Sequence, residues 1–191
     1  MAGMDDVPRF EPRSRADWRR WLERHHDSQR AVWLVLATKA SGKQRLSYDD
    51  VVEEALCFGW VDGTVRPFDE DRRLQYLARR KSGSTWARSN RDRVARLRAA
   101  GLMRPAGEAA VTRAQADGTW TALEPVEAMI VPTDLQEAFD EHPVLRERYE
   151  AAAPGVRRQV LWSVYGAKRA ETRHRRIAAL VARAQAGSPL A

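Results

Sequence analysis

The stretch "ALCFGWVDGTVRP", residues 55–67, restricts the fold more than any other part of the chain. A helical stripe of Val51, Val52, Ala55 and Leu56 runs into Gly59, the residue type that ends helices in a left-handed conformation. The spacing predicts a helix whose end is anchored in the core by Cys57 and Phe58, with Gly59 letting the chain reverse. Beyond it, "WVDGTVRPF" and "RRLQYLARR" read as two strands joined by the acidic turn "DED", a β-hairpin. The run "AVWLVLA", residues 31–37, is short, continuous and apolar, as a buried strand would be. It is expected in the same sheet as the antiparallel pair at 60–65 and 73–78.

Helix signals surround this sheet. Ser14 and Asp17 stand at capping-box spacing before a stripe of Trp18, Trp21, Leu22 and His25, and Ser47 and Asp50 repeat the spacing. A helix over 85–100 would turn Trp86, Val94 and Leu97 inward and end at Gly101, and Pro105 opens another that runs to about Asp117. After residue 120 the texture changes. "ALEPVEAMIVPTD" is irregular and reads as a linker, Thr133 and Gln136 form a capping-box pattern, and helices follow near 143–152, 155–165 and 170–186. The expected architecture is α+β. A small antiparallel sheet with flanking helices fills residues 1–120, a linker spans 121–132, and an all-helical subdomain spans 133–191.

The 191 residues are long enough to bury a core without disulfides or metals, and 43 % of them are hydrophobic. No run approaches the eighteen or so apolar residues of a membrane span. The opening "MAGMDDVPRFEPRSR" lacks the apolar core of a signal peptide, and the single Cys57 excludes an internal disulfide. A cytoplasmic protein is the expectation. The net charge of +7 suits nucleic acid or an acidic surface, although an Ala- and Arg-rich chain also reflects GC-rich coding.

No motif assigns a catalytic residue, a cofactor or a metal. Cys57 would need help from His25, His26, His142 or His174, and none forms a Cys–His signature with it. His25 lies on the apolar stripe and His26 off it, so one helix cannot aim both at one ion. Glu53 and Glu54 are adjacent in a helix and point in different directions. A polar cleft is the better candidate. Trp60, Asp62 and Arg66 alternate along one strand and would form one wall. Arg79, Arg80, Ser84, Trp86 and Asn90 would form the other, with Ser82 and Ser84 capping the start of the 85–100 helix. Arginines beside free helix N–H groups suit an anionic ligand. Arg88, Arg91 and Arg98 also make a basic stripe opposite Val94 and Leu97, a surface that a phosphate backbone would fit.

Three motifs carry a resemblance: "SYDDVVEEALCFGWVDG", "LQYLARRKSGSTWARSN" and "GLMRPAG". They resemble the YdeI/OmpD-associated family, also called bacteriocin-protection proteins, and "DGTW" and "AKRAETRHRRI" are similar to the family's C-terminal half. The resemblance implies protection against antimicrobial peptides or bacteriocins. It also implies, for some members, association with an outer-membrane porin. It implies no catalytic mechanism. The expected function is a non-enzymatic binding or accessory protein that takes a small anionic ligand or a protein partner. The alternatives are a nucleic-acid-binding regulator acting through the 85–100 helix and an enzyme of unknown reaction at the Trp60–Asp62–Arg79 cleft.

Overall fold

A computed structural model describes residues 6–191; residues 1–5, where the stretch without a signal-peptide core begins, lie outside the described residues. The chain divides into two compact units, residues 1–121 and 122–191. In the first unit the order is β1 (Arg9–Phe10), α1 (Arg15–His25), β2 (Ala31–Ala37), α2 (Tyr48–Cys57), β3 (Trp60–Pro67), β4 (Arg72–Arg79), α3 (Arg88–Ala99) and α4 (Pro105–Ala116). The sheet order is β1-β2-β4-β3. Strands β3 and β2 both run antiparallel to β4, so the hairpin and the 31–37 strand share one sheet. The parallel pairing of β1 with β2 is an addition. It involves only Arg9 with Trp33 and Phe10 with Leu34, too short a segment to leave an alternating pattern in the sequence.

Strand β2 is apolar throughout because each face meets a different cluster. Val32, Leu34 and Leu36 join Leu77 and Trp60 against Trp18, Trp21 and Leu22 of α1 and the buried stripe of α2. Trp33 and Val35 turn to the opposite face and pack with Leu74. The caps follow the sequence to different degrees. At α2 the box is complete: Ser47 Oγ accepts from the Asp50 N–H at 3.0 Å, and the Asp50 carboxylate accepts from the Ser47 N–H at 2.9 Å. At α1 only half forms. Ser14 Oγ accepts from the Asp17 N–H, while the Asp17 carboxylate takes the Arg13 N–H.

Helices α1 and α2 are joined by charge. Glu54 is 3 % exposed and sits between Arg15 and Arg19, each 2.6 Å away. A buried carboxylate is tolerated when guanidinium groups satisfy it. Arg15 also meets Asp50 and Glu53, both at 3.1 Å. Burial opposes the charge of Arg15, but these carboxylates outweigh it and hold its pKa above the ordinary arginine value.

The end of α2 is then locked against α4. Gly59 has φ +73°, and a Cβ there would lie 2.8 Å from the Ala106 carbonyl oxygen. At Gly107 a Cβ would lie 2.3 Å from the Cys57 carbonyl oxygen. The Arg104 N–H donates to that same carbonyl at 3.1 Å, and Cys57 itself is fully buried.

The second unit contains α5 (Glu124–Glu127), α6 (Thr133–Glu141), α7 (Pro143–Ala151), α8 (Pro154–Tyr165) and α9 (Ala170–Gln185) around Leu135, Phe139, Leu145, Leu161 and Val164. The 121–132 stretch differs from the linker expected of it. It forms α5, buries Val126, and packs Met129 and Val131 against the same core. The capping box expected of Thr133 and Gln136 does not form. Pro132 is the N-cap, so Thr133 is already helical, and Asp134 takes up the Leu135 N–H and pairs with Arg173.

Two outcomes follow. Gly107→Ala forces a methyl group onto a carbonyl, and overpacking of this kind costs about 1–3 kcal/mol. A urea midpoint equal to that of the wild type would remove this role for the glycine. Hydrogen bonds from Arg98 hold the Glu108 carboxyl below its usual range, and those from Arg173 do the same for Asp134. The stability these lowered values confer is full above the usual carboxylate pKa of about 4 and is lost as pH falls through them. Urea midpoints measured from pH 6 to pH 3 should therefore drop below about pH 4.

Candidate anion-binding site

The first wall of the expected cleft is split by a β-bulge. Asp62 pairs with Leu77 and Val65 with Gln75, so β3 carries one residue more than β4 between these pairs. Paired residues share a face, and the extra residue reverses the alternation. Trp60 and Asp62 face the helices. Arg66 pairs with Leu74 and turns to the opposite face, where its guanidinium lies 5.3 Å from the Trp33 ring centroid. Gly63, inside "VDGT", was the available signal, since a glycine within a strand often marks a bulge.

The two tryptophans are interior. Trp60 is 0 % exposed and meets Trp21 edge-on at 5.8 Å, and Trp86 is 1 % exposed and lies 4.9 Å from Trp120. Neither forms an open wall. Asp62 accepts a hydrogen bond from the Tyr48 hydroxyl at 2.8 Å. Burial and that bond push the Tyr48 phenol up to about 12, so it keeps its proton and stays a donor.

The serine-capped helix start is also replaced. Helix α3 begins at Arg88 with Ala87 as its N-cap, and no side chain caps it. The serines are used elsewhere because Asp117, at the end of α4, takes up the preceding loop. It accepts from Ser82 Oγ, the Gly83 N–H and the Thr119 N–H. Ser84 Oγ accepts from Arg80, and Asn90 in the first turn of α3 accepts from Arg93 Nη1.

Arg80 is the unusual residue. It is 8 % exposed, and its guanidinium lies 3.7 Å from the Trp86 ring centroid. Nη1 donates to Ser84 Oγ at 3.3 Å and to the Thr85 carbonyl at 3.1 Å. Nε is buried without a partner. Burial pushes its pKa down to about 10, opposed only by the charge of Asp62, so the group is still protonated at neutral pH. No ion pair engages it among the described residues. A buried charge in this condition is costly unless something compensates it.

Arg80 lines a cavity of about 340 Å³ with His26, Phe58, Gly59, Arg79 and Arg113. Arg79 is the last residue of β4 and Arg113 lies in the last turn of α4, and neither has a side-chain hydrogen bond or ion pair among the described residues. His26 is already engaged: Nδ1 lies 2.9 Å from the Leu22 carbonyl oxygen and Nε2 lies 3.3 Å from the Asp27 carboxylate. A larger cavity of about 500 Å³ opens at the other end of the strands. Its three cations, Lys43, Arg45 and Arg72, meet four carboxylates, and Lys43 pairs with Asp71 at 2.6 Å and Arg72 with Asp69 at 2.6 Å and Glu11 at 3.0 Å. The excess of positive charge is therefore in the smaller one, where, among the described residues, three arginines meet one carboxylate, Asp27. The sequence reading placed neither His26 nor Arg113 there. The signal for Arg113 was helical register, since Ala106, Ala110 and Arg113 fall on one face of α4 and Gly59 packs against the first two.

The basic helix, by contrast, is largely compensated. Its arginines face more than Asp92, because α2 and α4 supply carboxylates. Arg93 pairs with Asp49 at 2.6 Å, Arg96 with Glu53 at 3.5 Å and Arg98 with Glu108. Arg91 donates to the Trp120 carbonyl, and Arg88 lies 3.9 Å from Asp92. Among the described residues no group of His, Cys, Asp and Glu could hold a metal ion, and no helix is long and apolar enough to cross a membrane.

These observations define an α+β unit with an arginine-lined cavity, followed by a helical unit. Residues 10–110, more than half of the chain, match the family described as Domain of unknown function (DUF8412), and the chain belongs to that family. Residues 128–187 match a second family, described as Bacteriocin-protection, YdeI or OmpD-Associated. The family that the sequence motifs resemble is thus matched in the second half, while the two longest of those motifs, at 47–63 and 74–90, lie in the first. No curated protein and no solved structure matches the chain.

Arg80→Met tests the cost of the buried charge. Replacing a buried, unpaired charge by an apolar side chain of similar length is often neutral or stabilising. The variant should unfold within about 1 kcal/mol of the wild type, or later. A loss beyond about 3 kcal/mol would make Arg80 a structural strut.

Proposed function

We propose that the protein is a non-enzymatic binding or accessory protein of the bacteriocin-protection type, and that its first unit takes a small anionic ligand at the Arg80 cavity. The observation that carries this reading is Arg80 itself, a buried guanidinium without a counter-ion beside the unpaired Arg79 and Arg113. An anion in the cavity supplies the missing charge, and a guanidinium that is already desolvated binds it strongly. Binding fits better than catalysis at the nearest reactive side chain. Cys57 is sealed in the core, and burial pushes its thiol up. The family matched by residues 128–187 supports the protective role.

Arg79→Ala is the test. Arg79 is exposed, so the change should leave stability within about 0.5 kcal/mol. Binding of citrate and inorganic phosphate, followed by calorimetry, should weaken about tenfold or more. Cells that rely on the protein for bacteriocin tolerance should lose that tolerance. Unchanged anion binding, with an unchanged phenotype, would make the corner packing only.

A further inference from the structure

We infer that the Arg80 cavity is built for a dianionic tetrahedral head, the phosphate of a small monoester, an inference that rests on the anion reading just given. The first argument is the number and origin of the guanidinium groups. Arg79, Arg80 and Arg113 line one space from the end of β4, the loop after it and the last turn of α4. A carboxylate has two oxygens, which one guanidinium can occupy through two parallel hydrogen bonds and two guanidinium groups occupy at Glu54. With a carboxylate as occupant, at least one of the three guanidinium groups would be left without an acceptor. A phosphate monoester carries a charge of about −1.5 to −2 and offers three strong acceptor oxygens, enough for three donors arriving from different sides.

The second argument is how little of this charge the protein cancels. Among the described residues Asp27 is the only carboxylate lining the cavity, and it lies beside His26 Nε2 and pairs with none of the three arginines. Asp62 acts on Arg80 only through its charge, while its carboxylate holds the Tyr48 hydroxyl.

The third argument is rigidity and size. Arg80 is fixed by the Trp86 ring and by the two bonds from Nη1, and no hydrogen bond uses Nη2. It can serve as the stationary part of the site, with Arg79 and Arg113 free to close on an occupant. The volume of about 340 Å³ falls at the small end of ligand sites, about 300–1,000 Å³, and exceeds what a bare phosphate fills. The remaining space is bordered by Phe58, Ala106 and Ala109, residues suited to a compact organic group.

Three probes that share a phenyl ring separate charge from shape: phenyl phosphate, phenyl sulfate and benzoate, titrated calorimetrically into the full chain at pH 8. Phenyl phosphate should bind about tenfold more tightly than either of the others. Arg113→Ala, an exposed and unpaired position, should reduce phenyl phosphate binding by about tenfold and leave the melting temperature unchanged. If benzoate or phenyl sulfate binds within about threefold of phenyl phosphate, the dianion inference is overturned while the anion reading stands. Wild-type binding by Arg113→Ala also overturns it. If none of the three probes binds, the anion reading itself falls.

Discussion

The first unit depends on the close approach of α4 to the end of α2. Gly107 lets the helix lie on the Cys57 carbonyl, and Gly59 lets the chain turn beneath Ala106 and Ala110. Any side chain at either place would push the two elements apart. That contact sets the position of everything downstream of the hairpin. It carries Arg113 to the same side as Gly59 and so brings a residue from the fourth helix to the end of β4. The cavity exists because two backbones can touch.

Arginine dominates the chain's positive charge, and in the first unit part of it joins the helices to one another. Arg15 and Arg19 bury Glu54 between α1 and α2, and Arg93, Arg96 and Arg98 tie α3 to carboxylates of α2 and α4. Isolated surface pairs contribute little, about 0–1 kcal/mol each. The pairs on Glu54 differ because their carboxylate is buried. Against this background Arg80 stands apart as the buried arginine. Arg80 is buried without a carboxylate, and Arg79 and Arg113 are without partners of any kind among the described residues.

The elements with a strong period were legible in the sequence, and the site was legible only in part. The stripe before Gly59, the alternation around "DED" and the apolar run at 31–37 each follow from local chemistry, and the sheet they form follows from them. What escaped depends on single residues or distant contacts. One bulge residue sends Arg66 to the far face, though Trp60 and Asp62 share its parity. Ser82 and Ser84 stand at plausible capping positions, but Asp117 and Arg80, remote in sequence or role, engage them first. Arg79 and Arg80 were visible as candidates from their place in the turn. Arg113 was hidden because its meeting with β4 is set by two glycines far apart in the chain. Val126 looked like part of a linker because a four-residue helix leaves no periodicity.

Asp117 has a role that its distance from the guanidinium groups conceals. By holding Ser82, the Gly83 N–H and Thr119, it fastens the loop that seats Arg80 to the end of the helix that bears Arg113. Two positively charged walls, which would repel one another, are clasped by a carboxylate placed behind them. The entropy of assembling such a pair is then lost when the chain folds and not when a guest arrives. A receptor organised in this way discriminates by fit and adapts poorly to guests of other shapes.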